Sequence, residues 1–244
     1  MTETEKNIPF GAIDPKGRFK FVSMLEMLQE AADEDASKYG LSVRQTLEHG
    51  VTWVLRKYRI DLTRYPVKED SAIAVRTYAE PYRNLFSLRT FILRNIYGEP
   101  IGSAYTWWLL IDVLRSRIIR LDKCEIVSPL MERISDELPR DVAVPDVTDV
   151  TVDDVWKVRW QDLDINNHAN HTAYFGWALD TVPHEVPEDM APMSVEGEFL
   201  LPIPRIRVRC VSQEVGLTGG RKFLHSLRHP DDGVEYARLS SVWK

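Results

Sequence analysis

Asp164, Asn166 and His168 put a carboxylate, a carboxamide and an imidazole at every second position of the stretch Trp160-Gln-Asp-Leu-Asp-Ile-Asn-Asn-His-Ala-Asn-His171. If Asp164 to His168 is locally extended, alternation sends these three side chains to one side and turns Ile165 and Asn167 away. The three groups then converge. A helix read from Thr172 to Leu179 follows directly, and its N-terminus offers free N–H groups and a partial positive charge where a developing oxyanion would be stabilised.

The same residues admit plainer readings. Polar clusters ahead of helices are most often caps and turns. Asp162, Asp164 and Asn166 match the first three ligand positions of a calcium loop, but Asn167 stands at its turn glycine and Ala173 at its twelfth-position glutamate, so that loop is incomplete. His168 and His171 could ligate a transition metal, yet no third ligand accompanies them at a recognisable spacing. His49, His184, His225 and His229 have no such company and read as surface or turn residues.

Elements on either side must position this loop. Ser23 to Tyr39 carries Leu25, Leu28, Ala31, Ala32 and Ala36 at helical spacing, and Ser23 with Glu26 has the pattern of a capping box. Thr52 to Ile60, Ser71 to Tyr78, Phe86 to Ile96 and Ile101 to Leu114 are rich in β-branched and aromatic residues and read as a strand meander. From Pro129 to Val150, Pro129, Pro139 and Pro145 alternate with Asp136, Glu137, Asp141, Asp146 and Asp149, the composition of a linker. Beyond it the order recurs: a short strand at Val155 to Val158, the polar loop and helix, then strands near Ser194 to Leu201, Ile206 to Glu214, Lys222 to Arg228 and Val234 to Val242. Gly216, Gly219 and Gly220 mark one hairpin turn and Pro230-Asp-Asp-Gly233 another. The halves read as two copies of one plan, an antiparallel sheet around a single helix, and two such units side by side would bury sheet edges and helices together; two unrelated α+β domains are the alternative reading.

Composition bounds the function. The 244 residues carry 37 acidic against 31 Lys plus Arg side chains, a net charge of −6, which leaves no global basic excess for nucleic acid. Cys124 and Cys210 form neither a disulfide framework nor a zinc motif. The acidic start Met-Thr-Glu-Thr-Glu-Lys lacks the features of a signal peptide, and no apolar run is long enough to span a membrane. A cytoplasmic protein is expected.

Trp160-x-Asp162-Leu163-Asp164-x-Asn166-x-His168-x-Asn170, with Tyr174 and Trp177 in the next helix, resembles the active-site signature of the acyl-acyl carrier protein (acyl-ACP) thioesterases. Leu25 to Ala32 is similar to their first central helix, and Ser103 to Leu121 to a late strand of their first domain. The resemblance implies an α+β chain of two tandem hot-dog domains. Residues 1–130 would bind the acyl chain, 131–150 would be the linker, and 151–244 would be catalytic through Asp164, Asn166 and His168. The family places a catalytic glutamate where Pro202 stands here, with Ile203 beside it in place of a cysteine. Glu198, two strand steps earlier and about 13 Å away at extended rise, is a poor substitute.

A thiol of pKa near 8.5 leaves readily, so thioester hydrolysis needs little general-acid help. Asp164 would deprotonate water or attack the carbonyl directly, and the helix N-terminus would polarise that carbonyl. Asn166 would orient thioester or water, and His168 would hydrogen-bond the carboxylate or shuttle a proton. No metal or organic cofactor is required. Met24, Met27, Leu28 and Ala31 offer adaptable side chains to an acyl chain. The implied partner is acyl carrier protein with its acyl-phosphopantetheine arm, with no nucleic acid and no membrane span, and a homodimer is compatible with it. ACP is acidic, so docking needs a local basic patch. Arg205, Arg207 and Arg209, alternating in one strand, are the chosen candidate. An acyl-CoA thioesterase and a non-catalytic acyl-binding protein are the alternatives. A dehydratase on this fold would carry an acidic residue inside the helix, and Thr172 to Leu179 has none.

Overall fold

The computed structural model describes residues 2–131, 139 and 141–244. The first half runs β1 (Thr2–Asn7), α1 (Phe21–Ser37), α2 (Val43–Glu48), β2 (Val51–Leu62), β3 (Ala72–Tyr82), β4 (Phe86–Asn95), β5 (Pro100–Asp112), β6 (Arg117–Ile119) and α3 (Ser128–Met131). The second runs β7 (Val152–Lys157), α4 (His171–Asp180), α5 (Glu185–Asp189), β8 (Pro192–Phe199), β9 (Arg207–Val215), β10 (Arg221–Arg228) and β11 (Glu235–Trp243).

Alternating apolar residues give each long strand one face for the helices. Tyr58, Ile60 and Leu62 of β2, Ile73 and Val75 of β3, Phe91 and Leu93 of β4, and Val195, Phe223, Ala237 and Leu239 of the second half enter one core with α1 and α4. Neighbouring strands pair antiparallel in the order β1-β3-β4-β5-β2-β8-β11-β10-β9-β7, with β6 added on β5. Read from the other end, β7-β9-β10-β11-β8 repeats β1-β3-β4-β5-β2. Each half is therefore an antiparallel sheet curled about its own helix, an α+β double hot-dog. The two sheets join edge to edge where Lys57, Tyr58, Arg59, Ile60 and Asp61 face Glu198, Gly197, Glu196, Val195 and Ser194, which removes two open edges. A Cβ on Gly197 would lie 3.1 Å from the Phe175 ring, so glycine lets α4 press its aromatic face onto this seam.

Several expectations shift. The first helix starts at Phe21 rather than Ser23, and its N-cap, Lys20, makes no side-chain cap bond. The reason is tertiary: Lys20 N–H donates to Ala12 O and Phe19 N–H to Pro66 O, so the approach to the helix is already fixed. A capping box does form at Ser42 and Gln45, ahead of α2, where no helix was expected. His225 is a core residue at 1% exposure. Its ring lies between Ser212 Oγ (2.7 Å) and Ser241 Oγ (2.8 Å) on the flanking strands.

Of the expected linker, 132–138 and 140 lie outside the described residues, Asp136 and Glu137 among them. Residues 141–150 cross the outer face of the sheet. Lys57, 3% exposed, meets Asp141 Oδ1 at 3.1 Å, Glu196 Oε1 at 3.0 Å and Glu198 Oε1 at 3.6 Å and donates to Val142 O. Glu198 also accepts from Val144 N–H (3.1 Å), and Gln213 Oε1 accepts from Thr148 and Asp149 N–H. Glu198 thus serves the outer face, opposite the helices.

Candidate active site

The segment expected to be extended is a tight turn. Leu163 and Ala169 pair as an isolated bridge, Asp164 N–H donates to His168 O (2.7 Å) and Asn167 N–H to Asp164 O (3.1 Å). Asp164 Oδ1 accepts from the N–H groups of Asn166 (2.8 Å) and His168 (3.2 Å). Asn167 takes φ 61°, a conformation asparagine tolerates because its short amide bonds locally. Alternation therefore does not bring the triad together; the Asp164 carboxylate does, by folding the chain around itself. Its Oδ2 faces Asn166 Nδ2 at 3.4 Å. His168 joins through its backbone, and among the described residues its imidazole makes no hydrogen bond.

An equivalent turn exists 150 residues earlier, and the sequence reading missed it. Ile13 pairs with Phe19, and Asp14 Oδ1 accepts from Lys16 and Arg18 N–H, both at 2.8 Å. Gly17, at φ 80°, stands where Asn167 stands. The signal was available as Asp14 followed three residues later by a glycine. The chemistry of the two turns differs. Arg18 Nε holds Asp14 Oδ2 at 2.7 Å, and the same guanidinium donates to Met190 O and to Pro187 O of the second half. Burial opposes the charged form of Asp14, but the bonds from Arg18 and Lys16 outweigh it and hold the carboxyl below its usual range. The first turn is sealed by a cation; among the described residues, Asp164 has no ion pair.

Asp162, read above as a candidate calcium ligand, supports the turn. Its carboxylate accepts from Arg159 N–H (2.7 Å) and Nη2 (2.9 Å), and its carbonyl accepts from Asn170 N–H (2.7 Å). Among the described residues no three His, Cys, Asp or Glu side chains gather in a metal-binding group. Asn170 caps α4, its Oδ1 accepting from Thr172 N–H (3.1 Å) and its carbonyl from Ala173 N–H (2.9 Å). Two of the helix N–H groups expected to be free are therefore engaged.

Aromatic rings enclose the start of α4. His171 stacks on Tyr58 of the other half (5.8 Å between centroids) and meets Phe199 edge-on (6.2 Å). Tyr174 stacks on Trp177 (5.9 Å), and its hydroxyl accepts from Ile203 N–H (2.8 Å). Ile203 O in turn accepts from Ala169 N–H (2.8 Å), so the Pro202-Ile203 segment borders the turn, with Pro202 itself exposed. Met24, Met27, Leu28 and Ala31 lie in the core with Phe175 and Trp177. Arg205, Arg207 and Arg209 are all exposed, but β9 begins only at Arg207. Asp153 neutralises Arg209. Arg205 lies 5.5 Å from the centre of the exposed Trp160 ring, and with Arg207 and Lys157 it lines a groove of about 410 Å³.

A family model described as the acyl-ACP thioesterase N-terminal domain matches residues 1–130, and its C-terminal counterpart matches 147–244. The chain is 25% identical over 239 residues to a palmitoyl-acyl carrier protein thioesterase, chloroplastic, of Cuphea hookeriana, covering 91% of this chain and 57% of that protein. It is 24% identical over 218 residues to oleoyl-acyl carrier protein thioesterase 1, chloroplastic, of Arabidopsis thaliana, covering 79% and 60%. The chain thus spans little more than half the length of these curated relatives. Among solved structures, a 12:0-ACP thioesterase from Umbellularia californica superposes with TM-score 0.85 at 19% identity, covering 100% of this chain and 93% of that one. An acyl-ACP thioesterase from Bacteroides thetaiotaomicron gives 0.84 at 19%, covering 100% and 97%.

Proposed function

Since the chain belongs to the acyl-ACP thioesterase family, we propose that it hydrolyses fatty acyl-ACP to free fatty acid and ACP, with the second half catalytic and the first half holding the acyl chain. The observation that carries this reading is the contrast between the twin turns. One carboxylate is locked to Arg18. The other, on Asp164, keeps one oxygen for the turn and presents the second beside an amide.

Asp164 either takes a proton from the attacking water or attacks the acyl carbon itself, in which case water then cleaves the acyl-aspartyl anhydride to free acid and restores the carboxylate. The new C–O bond forms, the C–S bond breaks, and the pantetheine thiolate leaves and takes up a proton. Asn166, 3.4 Å from the carboxylate, orients water or thioester. His168 carries the proton. The partial positive charge at the start of α4 favours charge building on the carbonyl oxygen. Met24, Met27, Leu28 and Ala31 face the acyl chain.

Carrier docking falls to Arg205 and Arg207 beside Lys157, because Arg209 is already compensated. This patch lies next to Trp160, at the foot of the Asp164 turn. Thiol release from matched panels of acyl-ACPs and acyl-CoAs tests the assignment. Acyl-ACP should be preferred, its KM should rise with salt, and Arg207→Glu should raise that KM while sparing kcat. A preference for acyl-CoA, indifferent to both changes, would reassign the carrier; no hydrolysis of either panel would leave an acyl-binding protein.

A further inference from the structure

Among the described residues, two polar atoms next to the site have no partner. Tyr58 Oη and His171 Nε2 are both shut off from solvent, and neither makes a hydrogen bond within the described residues. Buried polar groups in folded proteins are almost always paired, so an orphaned one asks for a reason. Here there are two, on rings that stack at 5.8 Å with 23° between their planes, one from each half of the molecule. Tyr58 sits on β2 opposite Gly197 at the seam and is 3% exposed; His171 is the first residue of α4. Phe175 and Phe199 supply the apolar walls.

The Tyr58 hydroxyl is a donor in the state the site imposes, and His171 is one in its Nε2–H tautomer. Burial pushes the Tyr58 phenol far above its usual range, so the hydroxyl keeps its proton. Burial also drives the His171 imidazole down to about 4, against the opposing pull of the Asp164 charge, so at neutral pH the ring is uncharged and carries a single N–H. With Thr172 and Ala173 N–H taken by Asn170, this helix end has fewer backbone donors to offer, and side-chain donors gain in weight.

Resting on the thioesterase reading, we propose that Tyr58 and His171 donate hydrogen bonds from opposite halves to the thioester carbonyl oxygen, stabilising it as it becomes an oxyanion. The ligand chemistry is an acyl carbonyl held between a neutral phenol and a neutral imidazole, in an apolar site where such donors act most strongly. Active-site assembly then depends on the β2–β8 seam.

The test uses the full chain and an acyl thioester that the wild type hydrolyses. Tyr58→Phe removes one oxygen and keeps the ring; His171→Phe keeps the stack and loses the donor; His171→Gln restores an N–H. Each Phe variant should lower kcat at least tenfold, with KM within a factor of about three and an unchanged or raised melting temperature. His171→Gln should recover part of the loss. Folded Phe variants with wild-type kcat would overturn the proposal, as would a loss confined to KM. If His171→Phe does not fold, Tyr58→Phe decides alone. A wild type inactive on every acyl thioester overturns the thioesterase reading and this proposal with it, an outcome distinct from active but indifferent variants.

Discussion

Asp14 and Asp164 close the same turn with the same oxygen, and what separates them is the neighbour of the second oxygen. Arg18 fills that place in the first half; in the second, the equivalent residue is His168, which meets Asp164 through its backbone N–H. Asparagine keeps an acceptor for the turn and loses the charge and the second acceptor oxygen. Asp164→Asn should therefore leave the melting curve nearly unchanged while lowering turnover at least about 100-fold, the scale of a lost general base. Asp14→Asn, its internal control, should cost about 1 kcal/mol of stability through the weakened Arg18 contact and leave turnover intact. Equal activity losses in both variants would mean that the carboxylate acts through turn geometry alone. His168→Ala separates proton transfer from positioning: an active His168→Ala beside an inactive Asp164→Asn removes the shuttle role.

The central helices α1 and α4 occupy equivalent places but divide the work. α4 brings an aromatic face to the seam, whereas α1 buries Met24, Met27, Leu28 and Ala31. Methionine adapts to irregular space, so Met27→Ala should move the preferred acyl chain to greater length, read from the released fatty acids. The substitution should also destabilise by about 2 kcal/mol or more, since it opens a cavity in the core. A fall in stability with an unchanged product profile would assign Met27 to packing only. Helical spacing alone could not decide this, because a residue lining a tunnel and a residue filling a core carry the same pattern. The helix start also escaped the local signal: Ser23 and Glu26 have the spacing of a capping box, yet a β-bridge between Ile13 and Phe19 delivers the chain to Phe21 first.

Across the whole molecule, two buried imidazoles link stability to pH. Burial lowers His225 to about 3 and His171 to about 4, while in the unfolded chain each titrates near 6.5. Between those values the unfolded state binds more protons, so stability is complete above about pH 6.5 and falls as pH drops toward 4, by up to about 1.4 kcal/mol per pH unit for each group. Urea midpoints at pH 7, 6 and 5 should decline stepwise. A flat series would show that neither ring stays neutral in the folded state. His225 reads from sequence as a surface or turn residue because nothing adjacent in sequence announces Ser212 and Ser241, which reach it from two other strands.

The sequence by itself determined the α+β class, the repeat of helix and meander, the hairpin turns, and the chemical character of the loop at Asp164, because each is written in local periodicity, turn residues and side-chain type. Only the tertiary structure decided that the loop is a turn folded about the Asp164 carboxylate, that Asp14 heads a sealed copy of it, and that Glu198 faces away from the helices with Lys57. It also decided that Tyr58 meets His171, residues 113 positions apart in one chain. The physical reason is the same throughout. Hydrogen-bond satisfaction and the pairing of strand edges are settled between distant segments, and a sequence read along its length shows which groups need partners without showing which partners they find.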